Sequence, residues 1–275
     1  MHPLPCLDRV HVMRERGFSL AEAVIVIVIT GIIAAVVAVF IRGPVDAYFD
    51  VARRSQLSDA ADTALRRISR DVRLALPNSV RVRSSGGATY LEFLITSGGG
   101  RYRARPPGDF LNFNINDSSF EVLGPMPLLP AGSSIVIYNL TSDPAVGSAN
   151  AYFGDNRAAF VSAAGNVINI APTQFPFESP VARFQVIEHP VTYECAPATG
   201  LLRRHWGYSI TSSQPPPFAG TDNTALLADG VSACGFTYDA NAVARRAGVV
   251  SLSLTLTRES ESVSLFQQVH VPNVP

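Results

Sequence analysis

The sequence contains no lysine: its 22 basic side chains are all arginines, matched by 22 carboxylates for a formal net charge of zero. These arginines are spread along the chain with no dense cluster. That argues against nucleic acid as the main partner, because phosphate recognition needs a concentrated positive surface. Catalytic signatures are missing too. There is no serine in a G-x-S-x-G frame, no P-loop and no H-E-x-x-H. Only five histidines are present: His2, His11, His189, His205 and His270. Dispersed residues can still assemble a site in space, but nothing here points to an enzyme or to a bound cofactor. Cysteine is scarce, at three: Cys6, Cys195 and Cys234. No internal repeat or low-complexity tract is visible.

What is present divides sharply. From Phe18 to Ile41 the only ionisable side chain is Glu22, close to the start. As a helix this stretch extends ~36 Å at 1.5 Å per residue, enough to cross a hydrocarbon core of about 30 Å with some tilt. Before it lies a short basic segment, Met1 to Gly17, holding Arg9, Arg14 and Arg16 and no apolar core. Arginines ahead of the span favour a cytoplasmic N-terminus, with the remainder outside the cytoplasm, although Arg42, Arg53 and Arg54 weaken the asymmetry. An ordinary secretory signal peptide would have a shorter apolar region and a small-residue cleavage site. Ala34, Ala35 and Ala38 keep that reading open.

Gly17-Phe18-Ser19-Leu20-Ala21-Glu22, followed by a long apolar run, resembles the N-terminus of type IV prepilins and pseudopilins, G-F-S-L-x-E. The resemblance implies a 1–17 leader removed by a prepilin peptidase between Gly17 and Phe18, with N-methylation of Phe18. It implies a single-pass inner-membrane protein with a periplasmic head. Its partners would be the peptidase/methyltransferase, other minor pilins, the major pilin and the inner-membrane assembly platform. Glu22 would meet the terminal ammonium of a neighbouring subunit, an attraction strengthened where the dielectric is low. The plainer reading makes Glu22 an interfacial anchor contacting headgroups. A lone carboxylate in the membrane costs about 2.5–3.5 kcal/mol on insertion scales.

Cleavage after Gly17 discards Cys6 and leaves Cys195 and Cys234, an isolated pair that in an oxidising periplasm is a natural disulfide. The rival metal reading would enlist His189 or His205, whose spacing matches no recognised zinc pattern. The C-terminal part carries a second resemblance. Tyr193-Glu194-Cys195, Gly200 to Arg204, Leu226 to Asp229, Cys234 to Tyr238 and Gln268 to Pro275 look like minor pilins of the J/W type. Among these, the subunits of mannose-sensitive haemagglutinin (MSHA) pili are most similar. This covers roughly residues 190–275, whereas about 80–180 resemble nothing recognised.

Beyond the membrane, Gly43-Pro44 is expected to interrupt or bend the helix. Phe49, Ala52, Leu57, Ala60, Ala64, Ile68, Val72 and Ala75 then recur at three- to five-residue steps. Between them lie Arg53, Arg54, Asp59, Asp62, Arg66, Arg67, Arg70, Asp71 and Arg73. The pattern predicts an amphipathic helix over 45–76 with a solvated charged face, ended by Pro77-Asn78. Strands are expected at 90–95, 110–115, 135–138, 167–170, 182–187 and 201–208. The clearest pair comes last: Val250 to Leu256 alternate, 258–262 turn, and Val263 to Val271 return. Segments 97–100 and 214–217 read as loops. The expected fold is α+β: a long N-terminal helix, transmembrane over 18–42, carrying a mainly antiparallel β head over 80–275 with one disulfide.

Asn112, Asn114, Asn116 and Asp117 resemble a calcium loop only loosely, since the later glycine and glutamate are missing. Asn116 and Asn139 stand in N-x-S/T frames, which short motifs often form by chance. Three classes compete on this reading: an assembly subunit of a pilus or of a type II secretion pseudopilus, a membrane-anchored binding or adhesion module, and an anchored enzyme.

Overall fold

The computed structural model describes residues 17–275 except 215–217, 219, 221, 244–246 and 260, and excludes the side chains of Arg42 and 241–243. The leader up to Arg16, the tip of the 214–217 loop and Ser260 in the 258–262 turn therefore lie outside the described residues. The chain forms two compact units, one up to Ala52 and one from Arg53 onward.

The first element, α1, spans Leu20–Val72 and is 53 residues long. In the N-terminal unit its described side chains from Leu20 to Phe49 are exposed, among them Ile29 and Val36. Among the described residues it is the one helix long and apolar enough to cross a membrane. Gly43-Pro44 does not interrupt it, for Pro44 lies inside the helix. Proline deletes one N–H and crowds the preceding turn; the intact turns on both sides carry the helix through.

In the second unit, α1 packs through Leu57, Ala61, Ala64, Leu65, Ile68 and Val72, all buried. The predicted stripe holds at Leu57, Ala64, Ile68 and Val72, with Ala75 buried just past the helix. Ala61 takes the place of Ala60, which is exposed, and at the start of the stripe Phe49 is exposed and Ala52 only half-buried. The helix ends at Val72, ahead of the expected 76. Residues 74–76 turn out to meet the sheet instead: Leu76 N–H donates to Leu94 O (2.8 Å) and Thr96 N–H to Leu74 O (2.8 Å).

Among the described residues twelve strands follow: β1 Arg81–Ser85, β2 Ala88–Arg101, β3 Asp117–Glu121, β4 Ser134–Ile137, β5 Arg157–Ala164, β6 Val167–Thr173, β7 Arg183–Ala196, β8 Leu201–Trp206, β9 Asn223–Asp229, β10 Val231–Val243, β11 Ala247–Arg258 and β12 Glu261–Pro272. The pairings are antiparallel throughout. Nine strands form a branched sheet, β1-β2-β7-β4-β5-β6-β3, with β8 and β9 continuing from β7. The branch lies within β7. Its first half pairs with β4 (Phe184 to Ile187) and its second half with β8 (Val191 to Ala196). Pro190, which cannot donate to a ladder, falls between those halves, where the β2–β7 register also shifts. The second sheet is β10-β11-β12.

Two sequence expectations fail in the sheet. Segment 110–115 is not a strand, because Asp117 takes its backbone into turns: Asn112 N–H donates to Asp117 Oδ2 (2.7 Å) and Asn114 N–H to Asn112 Oδ1 (3.0 Å). Such side chain-to-backbone bonds compete directly with ladder bonds. Conversely 97–100 is not a loop but part of β2. There the glycines admit β7: a Cβ on Gly99 would sit 2.7 Å from Phe184 O, and one on Gly100 2.9 Å from the Phe184 ring.

The head holds two large cores. One gathers the α1 stripe with Leu91, Phe93, Val191, Tyr193, Leu202 and the inward residues of β10–β12, among them Leu252, Leu254 and Val269. The other is built by strands and loops without the helix, around Tyr102, Leu111, Phe120, Ile135, Phe175 and Phe184.

Candidate functional site

The N-terminal segment presents an open backbone. Among the described residues a Cβ at Gly17 would meet nothing within 4 Å and Phe18 is 79% exposed, so none of them shields the Gly17–Phe18 bond. Ser19 precedes the helix, and Ala23 N–H closes the first turn onto Ser19 O (3.1 Å). Glu22 N–H donates to Ser19 Oγ (3.2 Å), while Ser19 N–H and Oγ–H both donate to Glu22 Oε2 (3.4 Å each). This reciprocal arrangement is a capping box, with serine at the cap and glutamate three positions on. A carboxylate at this end also opposes the positive pole of the helix dipole. At 3.4 Å the bonds to Oε2 are long, so the carboxylate retains capacity for a stronger, charged donor. The local fold thus explains how Glu22 is accommodated at the edge of an apolar helix and leaves it able to change partners.

Cys195 and Cys234 form a disulfide, with Cα atoms 6.5 Å apart. It joins β7 of the large sheet to β10 of the small one, beside the helix-packed core. Cys195 is thereby committed to sulfur and unavailable as a thiolate ligand. His189 and His205 are not drawn together with it; among the described residues no group of three or more histidine, cysteine or acidic side chains is arranged to hold a metal.

The sequence missed three buried polar clusters. Asp71, expected on the solvated face of α1, is buried. Its Oδ2 accepts from the Tyr193 hydroxyl (2.8 Å) and from Arg204 Nε–H (2.8 Å), and Arg67 lies 3.2 Å from Oδ1. Burial, and next the Asp71 charge, push the Tyr193 hydroxyl pKa well up. In the second cluster Arg81 meets Glu92 at 2.9 Å and donates to the carbonyls of Thr211, Ser212 and Ser213. Glu92 is fully buried and its Oε2 has no hydrogen-bond partner. Burial raises its carboxyl pKa to about 7, against the opposing pull of Arg81. In the third, His205 faces Glu194 through Nε2 and Asp222 through Nδ1, at 3.0 Å each, and stacks on Phe218 with ring centroids 4.1 Å apart. All three tie separate elements of the head together. Of the other residues singled out in the sequence, His270 is exposed on β12 and both Asp117 carboxylate oxygens accept backbone amides; the chain's one tryptophan, Trp206, is half-buried with the Arg204 guanidinium 4.6 Å over its ring.

Residues 12–38 match the family model described as the prokaryotic N-terminal methylation motif. The match encloses Gly17, Phe18, Ser19 and Glu22 with most of the apolar run, and it does not reach the head. No curated protein and no solved structure matches the chain. The chain therefore carries a prepilin-type N-terminus on an apolar helix, which supports a protein of the type IV pilin and pseudopilin class and implies processing by a prepilin peptidase.

Proposed function

We propose that the chain is a minor pilin of a type IV pilus, of the MshO kind found in MSHA systems, that helps to initiate or prime filament assembly and catalyses no reaction itself. The carrying observation is the juxtaposition at Gly17–Glu22: an accessible glycine–phenylalanine bond directly before a helix whose first-turn glutamate is held, among the described residues, by long bonds to Ser19. On this reading the leader is removed in the inner membrane and Phe18 is N-methylated. The head then stands in the periplasm, and Glu22 exchanges its serine partner for the terminal ammonium of an adjacent subunit. Other minor pilins, the major pilin and the assembly platform are the contacts this requires. A J-type pseudopilin of type II secretion is the second reading, because the match at residues 12–38 is to a methylation motif and names no particular filament.

Mass spectrometry of the mature protein tests the processing step. The expected N-terminus is N-methyl-Phe18, and Gly17→Glu should retain the leader. Maturation of that variant to normal size in cells with active peptidase would overturn the assignment. Subunit content of sheared pili, compared with that of a secretion pseudopilus, then separates the two machines.

A further inference from the structure

The head's second sheet ends in a long, unguarded edge. β12 pairs with β11 over its whole length, from Arg258↔Glu261 to Ala247↔Pro272, and with no other strand among the described residues. One side of its backbone therefore presents a row of unpaired amide and carbonyl groups. Free edges are usually blunted by charge, proline or shortness. The edge strand β1 carries Arg81 and Arg83, and β3 carries Asp117 and Glu121. β12 has no charge or proline between Glu261 and His270.

Beside that edge lies a basic groove of ≈420 Å³, lined by Arg66, Ser69, Arg70, Arg73 and Leu74 of the α1 segment and by Gln267 of β12. Arg66 and Arg70 share one face of α1, and Arg73, in the turn just past it, keeps to that side because its N–H donates to Ser69 O (3.3 Å). Arg66 is paired with Asp62 (2.7 Å), but Arg70 and Arg73 have no acidic partner among the described residues. On the sheet's other face Phe266 is 67% exposed, directly opposite Ser253.

We propose that β12 accepts an added β-strand from a partner protein, a segment that alternates acidic and apolar side chains. Strand alternation dictates this chemistry. Residues of the incoming strand on the Gln267 side point into the arginine groove, and their neighbours point to the opposite face and cover Phe266. Backbone pairing would supply affinity and the two faces would supply selection, as in strand addition generally. A lipid surface would use the arginines but leave the edge unpaired, so the edge favours a peptide. This proposal does not depend on the pilin reading.

The test uses full-length protein in detergent micelles and a short fluorescent peptide of alternating glutamate and valine. Saturable binding is expected, weakened at least about tenfold by Arg70→Glu with Arg73→Glu, roughly a 1.4 kcal/mol loss. A lysine–valine peptide should not bind. Nor should a glutamate–valine peptide N-methylated at alternate residues, which keeps its charge but cannot pair. Hydrogen exchange should slow at alternate amides of β12. Both arginines are exposed, so an unchanged melting temperature verifies folding. Equal binding of the N-methylated peptide, or equal binding by the arginine variant, would overturn the proposal. So would arginine-dependent binding of anionic phospholipid vesicles without peptide binding, or self-association through β12 in place of it.

Discussion

The two cores of the head are built from different materials. Around α1 the interior is mostly aliphatic, with Ala61 and Ala64 letting the sheets approach the helix, and it is cross-braced by the Cys195–Cys234 disulfide and by Asp71. In the other core rings occupy the interior: Phe120 meets Phe184 edge-on at 5.3 Å, Tyr102 lies 5.8 Å from Phe113, and Phe113 lies 6.3 Å from Phe175. A helix brings a ready stripe of buried side chains every three or four residues. A sheet without one needs larger side chains from strands and loops, and aromatics bury the most area per residue. The disulfide braces the helix-packed core alone, whereas ion pairs serve both, Asp71–Arg204 in one and Arg103–Glu121 beside the other. Around the helix the bracing gathers at the C-terminal end of α1, where Asp71 meets Tyr193 and Arg204, and in the neighbouring disulfide.

The strongest way to break this comparison is to remove the brace that the helix itself carries. Asp71→Ala leaves Arg204 buried with its carboxylate gone, and orphaning a buried charge typically costs about 3–5 kcal/mol. Urea unfolding should show a loss of that size. The two cores share β7, which gives Val191 and Tyr193 to one and Phe184 and Val186 to the other, while β2 pairs along it. Amides of β6 should therefore lose as much exchange protection as those of β11. If β6 kept its protection, the cores would be separate folding units and the shared strand β7 would not couple them.

A smaller effect sharpens the comparison through pH. The Glu92 carboxyl rises from 4.5 to about 7 on folding, chiefly through burial. A raised carboxyl means that the folded state holds its proton more tightly. The stabilisation is then fully present below pH 4.5 and is lost as pH rises through 7. Head stability should fall by about 2–3 kcal/mol between pH 4.5 and 8 from this group. Glu92→Gln should flatten that slope. An unchanged slope in the variant would show that Glu92 is ionised throughout, held by Arg81.

Much of the helix-packed half was readable in the sequence, and the reasons are local. The α1 stripe has helical periodicity, β11 and β12 alternate cleanly, and the two cysteines of the mature chain had only each other. Asp71 was unreadable because its partners Tyr193 and Arg204 lie 122 and 133 residues away, and a charged residue among charged neighbours looks solvated. β10 escaped because Gly235 and Cys234 break its alternation. In the other half, Ser97–Gly100 looked like a loop because glycine is rare within strands, although here close approach of Phe184 requires it. The Ser19–Glu22 capping box lay in plain view as S-x-x-E, a helix-start signal overshadowed by the processing motif around it.

The smallest expected effect addresses the segment that alternates like a strand and is not one. Residues 110–115 place apolar side chains at every second position, yet Leu111 is buried and Ile115 is 52% exposed, so the alternation builds no consistent face. What holds the segment is Asp117, whose Oδ2 accepts from Asn112 N–H at 2.7 Å and whose Oδ1 accepts from Ser118 N–H at 2.8 Å. Asp117→Ala removes both bonds while leaving Leu111 free to stay in the core. The amides it releases lie near the surface, where water replaces part of the loss, so a cost of about 1 kcal/mol is expected. That is well below the Asp71 effect. Thermal unfolding should show the small shift, and exchange at the Asn112 amide should quicken without change in β11. If Asp117→Ala cost nothing and the Asn112 amide stayed protected, the turn would be held by backbone alone and the side chain would be a passenger.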